Sequence, residues 1–592
     1  MAHLKIKHKA IHHLLPNSNP SFSFSFHKNN STINQKTKTL DDEFNKLLLK
    51  KNPKPSPTQF NKHITLIVKQ KHYTTALTLI QKLTSSKTIP FDTYIYNISI
   101  NCYSHLRRVD LAFATFGTII KHGHTPVVST YNTLLKGLVL EDRVSEAERL
   151  FKKLVREGIC EPNEVTYGTV INGVCKSGGT DMAVRLVRFM EERGCRASTE
   201  VYSMVIDGLC KDKRVDCALG MLEEMVRKKV FPNVVTFNSL VYGLCRFGRL
   251  DEAKEMVVEM GRGGISPDVR TFNILVDGYC KEGMVEHAVG VVGVMVERGE
   301  RPDVVTYSAL IDGYCLRGQM KEAKEVFDDM VGKKIEPSII TFNSLINGYC
   351  KRANIDAAVE LFREVTRRKL EPTVSTYTTM LYGLFKVGRC IEALKLFEHM
   401  QSVEVTPNFI TYSVLLDGLC KNHRVDEALT LFRIIINNGV QPNVALYTVL
   451  IDGCCKNGKI DIAMDLFSEL CSSGLQPNVV TYNAMSNGLC NEGLIEEAKE
   501  LVIKMEKNGV LPNSVTYNII LQGVVKWKTR EDVILHLKEM DARAFLVDAS
   551  SFYLLLRSIP AKERDSNFAD LIQKLVPREV LKSHSRPAKL AP

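Results

Sequence analysis

The sequence predicts an all-α fold, a right-handed superhelical α-solenoid of about 14–15 helix-turn-helix repeats of 35 residues. Three observations predict this class. A short string recurs at a fixed step, each step contains two stretches of helical apolar periodicity, and glycine or proline separates those stretches. Because one helical hairpin cannot cover its own apolar face, the units are expected to stack into a single array.

The recurring string places a small polar residue directly after an aromatic one. Val-Val-Thr-Phe-Asn at Val234 returns as Val-Arg-Thr-Phe-Asn at Val269, as Val-Val-Thr-Tyr-Ser at Val304 and as Ile-Ile-Thr-Phe-Asn at Ile339, a step of 35 residues. Repeats are therefore predicted to start near residues 57, 93, 128, 164, 199, 234, 269, 304, 339, 374, 409, 444, 479, 514 and 549.

The unit of residues 234–268 illustrates the two helices of a repeat. One apolar face of a first helix is formed by Phe237, Leu240, Val241, Leu244 and Cys245. A face of a second helix follows at Leu250, Ala253, Met256, Val257 and Met260. Gly248 separates the two patterns, and Gly263, Gly264 and Pro267 end the second.

Glycine and cysteine each recur once per unit. Gly243 and its equivalents stand inside the first helix, where glycine costs about 1 kcal/mol against alanine, so we expect compensation from a close approach of packed helices. A column of thiols is formed by Cys175, Cys210, Cys245, Cys280, Cys315, Cys350, Cys420, Cys455 and Cys490, with Phe385 in the remaining place. We interpret these cysteines as small core residues.

The chain is predicted to hold no metal, no cofactor and no catalytic site. Among its 16 cysteines no Cys-x-x-Cys pair occurs, and clustered ligands are what a tetrahedral metal site needs. No stretch is long and apolar enough for a transmembrane helix, so no membrane insertion is expected.

The net charge of +12 is concentrated outside the repeats. Residues 93–548 contain 55 basic and 58 acidic residues, a balance of 55 − 58 = −3, whereas residues 1–40 contain six lysines and no acid. Residues 1–40 are predicted to be an organelle transit peptide or, alternatively, a disordered tail. Residues 41–56 are predicted to be a linker, residues 57–560 the solenoid, and residues 561–592 a C-terminal helix and basic tail.

The 35-residue period, the aromatic-polar step, the Gly-Leu-Cys-Lys element and the closing Pro-Asp or Pro-Asn together resemble the pentatricopeptide repeat (PPR) family. In the uniform length of its units the sequence resembles the P subclass of this family. The segment from Asn61 through Leu138, with Lys69-Gln-Lys-His-Tyr and Ile98 to Cys102, resembles the restorer-of-fertility group within that subclass.

The resemblance implies that each unit reads one base of single-stranded RNA through two side chains, the residue after the aromatic and the last residue of the unit. We call these two residues a reading pair. Those with an assigned base are Asn61 with Asp92 for U, Asn132 with Asn163 for C, Ser203 with Asn233 for A, Asn238 with Asp268 and Asn273 with Asp303 for U, Thr378 with Asn408, Ser413 with Asn443 and Thr448 with Asn478 for A, Asn483 with Asn513 for C, and Asn518 with Asp548 for U.

The remaining pairs depart from the family pattern. Asn97 with Val127 and Asn343 with Thr373 suggest a pyrimidine, Ser308 with Ser338 is ambiguous, and Gly168 with Ser198 falls outside the pattern. The final unit, with Tyr553, is interpreted as a cap of the stack. The implied target, from 5′ to 3′, is U-Y-C-N-A-U-U-N-Y-A-A-A-C-U, where Y is a pyrimidine and N any base. An Asn or Asp before a helix is also a good N-cap, so capping alone remains an alternative interpretation of the second residues.

Two further sets of residues follow from the resemblance. Bases are implied to be sandwiched by the second residue of each unit, at Val165, Val235, Val305, Ile340, Ile410, Val480 and Val515, whereas Glu200 and Arg270 depart from that pattern. Phosphates are implied to be followed by a ladder of Lys176, Lys211, Arg246, Lys281, Lys351, Lys386, Lys421 and Lys456. The alternative for this ladder is a set of cations favoured at helix C-termini by the dipole.

These inferences predict a sequence-specific single-stranded RNA-binding protein of an organelle, with the mitochondrion favoured and the chloroplast as the alternative. It is expected to act as a monomer that controls processing, stability or translation of a transcript, with a recruited nuclease or other processing factor among its partners. The rival hypothesis is a helical scaffold that binds proteins and reads no RNA.

Overall fold

The computed structural model describes residues 57–86, 93–558 and 566–577, and every regular element in these ranges is a helix. The predicted leader of residues 1–40, the linker of residues 41–56, and Asp92 lie outside them, as do residues 561–565 and 578–592 of the predicted C-terminal segment. The described residues form two units, one ending at Gly313 and one beginning at Tyr314.

The N-terminal unit contains the first seven hairpins and the start of an eighth. Its helices are α1 (Pro57–Lys69), α2 (Tyr73–Ser86), α3 (Thr93–His105), α4 (Val109–Lys121), α5 (Val128–Leu140), α6 (Val144–Arg156), α7 (Glu164–Lys176), α8 (Thr180–Glu192), α9 (Thr199–Lys211), α10 (Val215–Arg227), α11 (Val234–Arg246), α12 (Leu250–Arg262), α13 (Val269–Lys281), α14 (Val285–Glu297) and the first part of α15 (Val304–Arg317).

The C-terminal unit repeats the same pattern. After the end of α15 it contains α16 (Met320–Gly332), α17 (Ile339–Lys351), α18 (Ile355–Arg367), α19 (Val374–Lys386), α20 (Cys390–Ser402), α21 (Phe409–Lys421), α22 (Val425–Asn437), α23 (Val444–Lys456), α24 (Ile460–Ser472), α25 (Val479–Asn491), α26 (Ile495–Lys507), α27 (Ser514–Trp527), α28 (Arg530–Ala542), α29 (Ala549–Ser558) and α30 (Ser566–Leu575). The predicted all-α repeat fold is confirmed.

A first helix packs on two neighbours, as α9 does on α10 of its own hairpin and on α11 of the next. The predicted faces are buried: in α11 and α12 the side chains of Phe237, Leu240 and Met260 are at most 6% exposed. Val257 alone among the predicted face residues of this repeat is only half-buried. Gly248, at a φ of 71°, makes the left-handed turn between these two helices.

The mid-helix glycines mark the closest approach between successive first helices. A Cβ on Gly243 would lie 2.6 Å from Sγ and 2.8 Å from Cβ of Cys210, one repeat earlier. In the C-terminal unit a Cβ on Gly523 would lie 2.8 Å from the same atoms of Cys490. The expected compensation for a helical glycine is therefore present, because these contacts leave no room for a side chain.

Charged pairs link the second helices of neighbouring hairpins. Arg249 precedes α12 and donates to Asp216 of α10 at 2.6 Å and to its own Glu252 at 2.6 Å. The same link joins Arg143 to Asp110, Arg214 to Asp181, Arg389 to Asp356 and Lys459 to Asp426. Each pair is partly exposed and contributes at most about 1 kcal/mol, so the apolar faces dominate the stability of the stack.

Candidate functional site

The two residues of a reading pair belong to one 35-residue unit and meet because the next first helix stacks on the first helix of that unit. The first is the fifth residue of a first helix, and the second is the N-cap of the next first helix. The Nδ2 amide of Asn238 donates to Oδ1 of Asp268 at 3.2 Å, and that of Asn273 donates to Oδ1 of Asp303 at 3.0 Å. Asn132 and Asn163 make the same contact at 3.3 Å.

The second residues are helix caps, as the alternative interpretation holds. Oδ1 of Asn233 accepts the backbone N–H of Thr236 at 3.0 Å, and Oδ1 of Asp268 accepts that of Thr271 at 2.8 Å. A capping side chain uses one oxygen for its helix, which leaves the rest of the group for another partner. Capping and ligand contact are therefore compatible functions of one residue.

Most first helices carry a buried threonine at their third position, and in four of them it orients the asparagine of the preceding pair. Its hydroxyl accepts the N-cap N–H, as Thr271 does from Asp268 at 3.2 Å, and can donate its proton to Oδ1 of Asn238 at 2.7 Å, with Oδ1 of Asp268 as a second acceptor at 2.8 Å. The same donation is made by Thr166 to Asn132 at 2.7 Å, by Thr306 to Asn273 at 2.5 Å and by Thr516 to Asn483 at 2.8 Å. Each of these asparagines therefore turns Nδ2 away from the threonine.

The pair of Asn483 with Asn513 is joined through this threonine. Oδ1 of Asn513 accepts the backbone N–H of Thr516 at 3.0 Å and lies 3.1 Å from the Thr516 hydroxyl, which also reaches Asn483. The side chain of Asn513 is exposed, so its Nδ2 amide faces the surface while Oδ1 caps α27. This pair therefore differs from Asn132 with Asn163, where the two amides bond directly to each other.

Where the first residue of a pair is serine or threonine, its hydroxyl bonds close to its own helix and, within the described residues, does not extend to the N-cap side chain. The hydroxyl of Thr448 donates to the carbonyl of Val444 at 2.7 Å and contacts the hydroxyl of Thr481 at 2.7 Å. Ser203 and Thr236 make the equivalent hydroxyl contact at 2.7 Å. Ser413 instead donates to the carbonyl of Phe409 at 2.9 Å. A short side chain held against its own helix leaves more space beside the N-cap than an asparagine does.

The pair of Ser308 with Ser338, ambiguous in the sequence, differs from the pairs with an assigned base in having serine as its N-cap residue. Ser308 donates to the carbonyl of Val304 at 2.6 Å. Ser338 is half-buried, and its Oγ accepts the backbone N–H of Thr341 at 3.3 Å and lies 3.1 Å from the Thr341 hydroxyl. Both hydroxyls thus bond to their own helices, and Ser338 carries no second polar atom to offer a base. As a base-reading residue, Ser338 therefore lacks the outward group that Asn and Asp provide.

The two aspartates paired with Asn238 and Asn273 are held in the ionised form. Burial alone would raise the pKa of Asp268, but hydrogen bonds from Thr271 and Asn238 outweigh it and lower that pKa below its ordinary value. For Asp303 the same balance of burial against bonds from Thr306 and Asn273 lowers the pKa. A depressed carboxyl pKa means that the charge is kept at neutral pH and lost only as the pH falls through the lowered value.

Asn97, Asn343 and Asn518 lack this orientation. Among the described residues, no donor reaches buried Oδ1 of Asn97 or of Asn343, which are paired with Val127 and Thr373. Asn518 is turned the other way, because its Nδ2 donates to the backbone carbonyls of Ser514 at 2.7 Å and Leu546 at 2.8 Å. The two pairs whose second residue is Val127 or Thr373 depart from the sequence pattern, and among the described residues their asparagines also lack the threonine hydrogen bond that orients four others.

The residues predicted to sandwich bases form an exposed apolar series. The exposed fractions are 60% for Val165, 54% for Val235, 53% for Val305, 66% for Ile340, 65% for Ile410, 63% for Val480 and 55% for Val515. Glu200 and Arg270 occupy the same helical position and are also exposed. An exposed apolar side chain beside the reading pair, present in these seven repeats, marks a surface suited to flat apolar ligands.

The predicted ladder of cations is exposed, but half of it is paired. Lys211 contacts Asp207 at 2.6 Å and Lys281 contacts Asp277 at 2.5 Å, one helical turn earlier. Lys421 and Lys456 pair likewise with Asp417 and Asp452, at 2.7 Å and 2.6 Å. Each cation lies eight residues beyond the reading position, which is about 12 Å along the helix.

Sequence reasoning missed the third-position threonines and the aspartates that pair with the lysines. The threonines gave a usable signal, since a polar residue recurs between apolar ones, and Thr236, Thr271 and Thr306 are fully buried. The lysine partners were visible as Asp-x-x-x-Lys, the spacing of an i,i+4 pair.

The cysteine column is buried, and its chemistry is that of core residues. Burial raises the pKa of Cys210, Cys245 and Cys280 to about 12, so each is a protonated thiol at neutral pH. Cys175 is only half-buried. No group of three or more metal-ligating side chains occurs within the described ranges.

The stacked hairpins define a protein of the helical-repeat, α-solenoid class. Comparison with known proteins specifies the family: twelve segments match the PPR repeat family, at residues 92–139, 126–176, 162–211, 197–246, 232–281, 269–316, 302–351, 337–386, 372–421, 415–456, 442–491 and 477–526. The chain belongs to the PPR repeat family.

Individual relatives match over short segments. A mitochondrial pentatricopeptide repeat-containing protein of Arabidopsis thaliana is 37% identical over 100 residues, which is 17% of this chain and 16% of the relative. A second mitochondrial one is 33% identical over 94 residues, covering 16% and 21%. A chloroplastic one is 26% identical over 103 residues, covering 17% and 10%. Each alignment thus spans about a fifth or less of the relative's length.

The crystal structure of the pentatricopeptide repeat protein PPR10 from maize has a similar fold. The two chains superpose with a TM-score of 0.59 at 22% identity, over 92% of this chain and 82% of PPR10. In the part of the chain that the structure describes, no helix is long and apolar enough to cross a membrane.

Proposed function

We propose that this protein binds one segment of single-stranded RNA, one nucleotide per repeat, and that it does so in an organelle. The observation that supports this most is the recurrence of a pair of polar groups at the same place in successive repeats, in many of them beside an exposed apolar side chain. Asn238 with Asp268 and Val235 is one such set, and Asn273 with Asp303 repeats the pair. Polar groups that match a base edge next to an apolar surface for its face are the elements of single-strand recognition.

The second residue of a pair distinguishes bases by hydrogen-bond polarity. An ionised aspartate only accepts, so Asp268 and Asp303 suit uracil or guanine, which present a ring N–H on the Watson–Crick edge. An asparagine also donates, so Asn408, Asn443 and Asn478 suit adenine or cytosine, which present an unprotonated ring nitrogen there.

The first residue distinguishes bases by reach. An asparagine held by a third-position threonine projects Nδ2 toward the N-cap, which favours the smaller pyrimidine ring. Thr378 and Thr448 are bonded back to Val374 and Val444, which leaves room for a purine. Together the two residues give the assignments U for Asn with Asp, C for Asn with Asn, and A for Ser or Thr with Asn.

The cations after the cysteine column bind phosphates in this proposal. Because Lys211, Lys281, Lys421 and Lys456 already have aspartate partners, each gains less from a phosphate than a free lysine would. Affinity then depends mainly on base contacts, and its dependence on salt is shallower than the number of lysines suggests.

In this proposal the protein acts by occupying its RNA segment. A bound array shields its segment from nucleases, blocks ribosomes, displaces a hairpin or recruits a nuclease, so we propose control of processing, stability or translation of a mitochondrial transcript. The resemblance to restorer-of-fertility proteins supports this assignment, and we propose no catalytic step on this chain.

Binding to the predicted oligonucleotide tests the proposal. Gel shifts should show nanomolar affinity for U-Y-C-N-A-U-U-N-Y-A-A-A-C-U and at least about 100-fold weaker binding to a scrambled sequence of the same composition. The scrambled RNA is the matched control because its charge and length are unchanged. Equal affinity for the two would contradict base reading and favour the protein-binding scaffold.

A further inference from the structure

The last pair of the array, Asn518 with Asp548, has bonds that differ from those of the other asparagine pairs. Both hydrogens of Asn518 Nδ2 are used by backbone carbonyls, of Ser514 at 2.7 Å and of Leu546 at 2.8 Å. Its Oδ1 accepts the backbone N–H of Asp548 at 3.0 Å. Carbonyls can only accept and an N–H can only donate, so this orientation of the amide is determined by its partners.

Asn518 therefore has no amide hydrogen left for a base. In Asn238 and Asn273, by contrast, one Nδ2 hydrogen goes to the paired aspartate and the other remains, while Oδ1 is occupied by a threonine hydroxyl. All three asparagines are buried, at 3% exposure for Asn518, 4% for Asn238 and 8% for Asn273, so the difference between them lies in their hydrogen bonds: a base would have to displace backbone bonds to reach the Asn518 amide.

The difference coincides with a change at the third position of the following helix. There Ser551 replaces the threonine, and its hydroxyl lies 3.0 Å from Nε2 of Gln522. Its backbone N–H donates to Oδ1 of Asp548 at 2.7 Å. The preceding loop is tied to α30, since the N–H of Val547 donates to the carbonyl of Leu575 at 3.0 Å. Within the described ranges no hydroxyl bonds to Asn518: its Oδ1 is taken by the N–H of Asp548, and the loop brings the Leu546 carbonyl to its Nδ2.

The threonine acts only together with a capping Asn or Asp. Thr130 and Thr376 follow Asn97 and Asn343, yet no described donor reaches Oδ1 of either asparagine. In those units the N-cap is Val127 or Thr373, and neither supplies a carboxylate or amide oxygen to attract Nδ2. Orientation of the asparagine therefore requires the hydroxyl on one side and the N-cap oxygen on the other.

We propose that the third-position threonine is a specificity-determining positioning residue for the pair of the preceding repeat, and that Asn518 with Asp548 reads no base. The recognised segment then ends at the cytosine facing Asn483 and Asn513, one nucleotide earlier than the sequence pattern implies. This inference rests on the proposed RNA binding, and the two experiments below separate its failure from a failure of that proposal.

The first experiment compares single-base changes in the predicted oligonucleotide, with affinity measured on the full chain. Replacing U at nucleotide 7, opposite Asn273 and Asp303, should weaken binding about tenfold, whereas all four bases at nucleotide 14 should bind within about twofold of each other. Discrimination at nucleotide 14 equal to that at nucleotide 7 would overturn the inference. No preference for the predicted RNA over its scrambled control would instead contradict the proposed function.

The second experiment replaces the threonine behind one reading pair. Thr271→Val keeps the shape and removes the hydroxyl that holds Asn238, so the preference for U at nucleotide 6 should fall from about tenfold to below about twofold. Thr271→Ser should restore it. Thr376→Val is the matched control, because Thr376 accepts the N–H of its N-cap residue Thr373 in the same way, but no described donor reaches Oδ1 of Asn343, the reading residue before it.

The control variant should weaken binding to every RNA alike and keep the preference for U at nucleotide 6. A purely structural threonine would give this uniform loss for Thr271→Val as well. Unchanged discrimination at nucleotide 6 in Thr271→Val would therefore overturn the positioning role, whatever happens to overall affinity.

Discussion

Replacing Gly243 with alanine is expected to lower the free energy of unfolding by about 2 kcal/mol, although alanine is the better helix former. The added Cβ would lie 2.6 Å from Sγ and 2.8 Å from Cβ of Cys210. Because the Cβ of Cys210 is fixed to its helix, α9 and α11 must move apart, and the separation disturbs the apolar contacts on both sides. Urea-induced unfolding followed by circular dichroism measures the loss.

Gly261→Ala is the control for this prediction. Gly261 also lies inside a helix of the same repeat, but no neighbouring atom comes within 4 Å of the place that an added Cβ would occupy. Alanine there should raise stability by up to about 1 kcal/mol, through helix propensity alone. If both variants were equally stable, close approach would not be the reason for the glycine column.

Changing Val235 and Val305 together to glutamate is expected to weaken RNA binding about 100-fold for every sequence, with little loss of stability. The two side chains are 54% and 53% exposed, so the substitution disturbs little packing. Each contact with a base face is worth about 1–3 kcal/mol, and two such losses combine to about this factor. Fluorescence anisotropy with the predicted RNA measures the affinity.

Val258→Glu controls for added charge on an exposed valine. Val258 is 46% exposed and lies on the second helix, α12, away from the reading pairs. We expect its affinity for RNA to remain within about threefold of the original chain, the change that one remote charge makes at moderate salt. A similar loss in both variants would mean that exposed apolar residues of the first helices are not a base-contacting surface.

The fold was predictable from the sequence because its determinants are periodic. The spacing of Phe237, Leu240 and Leu244 marks a helix face, and the recurrence at 35 residues identifies neighbours without any contact being known. The compensation for Gly243 was also predictable, since a helical glycine that recurs in register implies close packing.

The orientation of the reading side chains was not predictable in the same way. Asn238 and Asn518 follow aromatic residues in equivalent positions, and both precede a unit capped by aspartate. Their amides nevertheless face opposite directions, because the partners come from residues 28 to 33 positions away and include backbone carbonyls. A sequence pattern gives the residue type, whereas hydrogen bonds across the stack decide which of its atoms is available.

Because one residue both caps a helix and is proposed to read a base, a substitution can change the reading and keep the cap. Asn478 caps α25 by accepting the N–H of Thr481 at 3.0 Å, and aspartate caps a helix as well as asparagine does. Exchanging them preserves the helix and reverses only the hydrogen-bond polarity of the outward group. Few nucleic-acid contacts can be altered without a change in size or fold.

The affinity of Asn478→Asp for four RNAs that differ only at nucleotide 12 tests the central claim most directly. The original chain should prefer A there, and the variant should prefer G by about tenfold, with every other nucleotide preference and the unfolding transition unchanged. An unchanged preference for A, or an equal loss for all four RNAs, would contradict the claim that these side chains read bases.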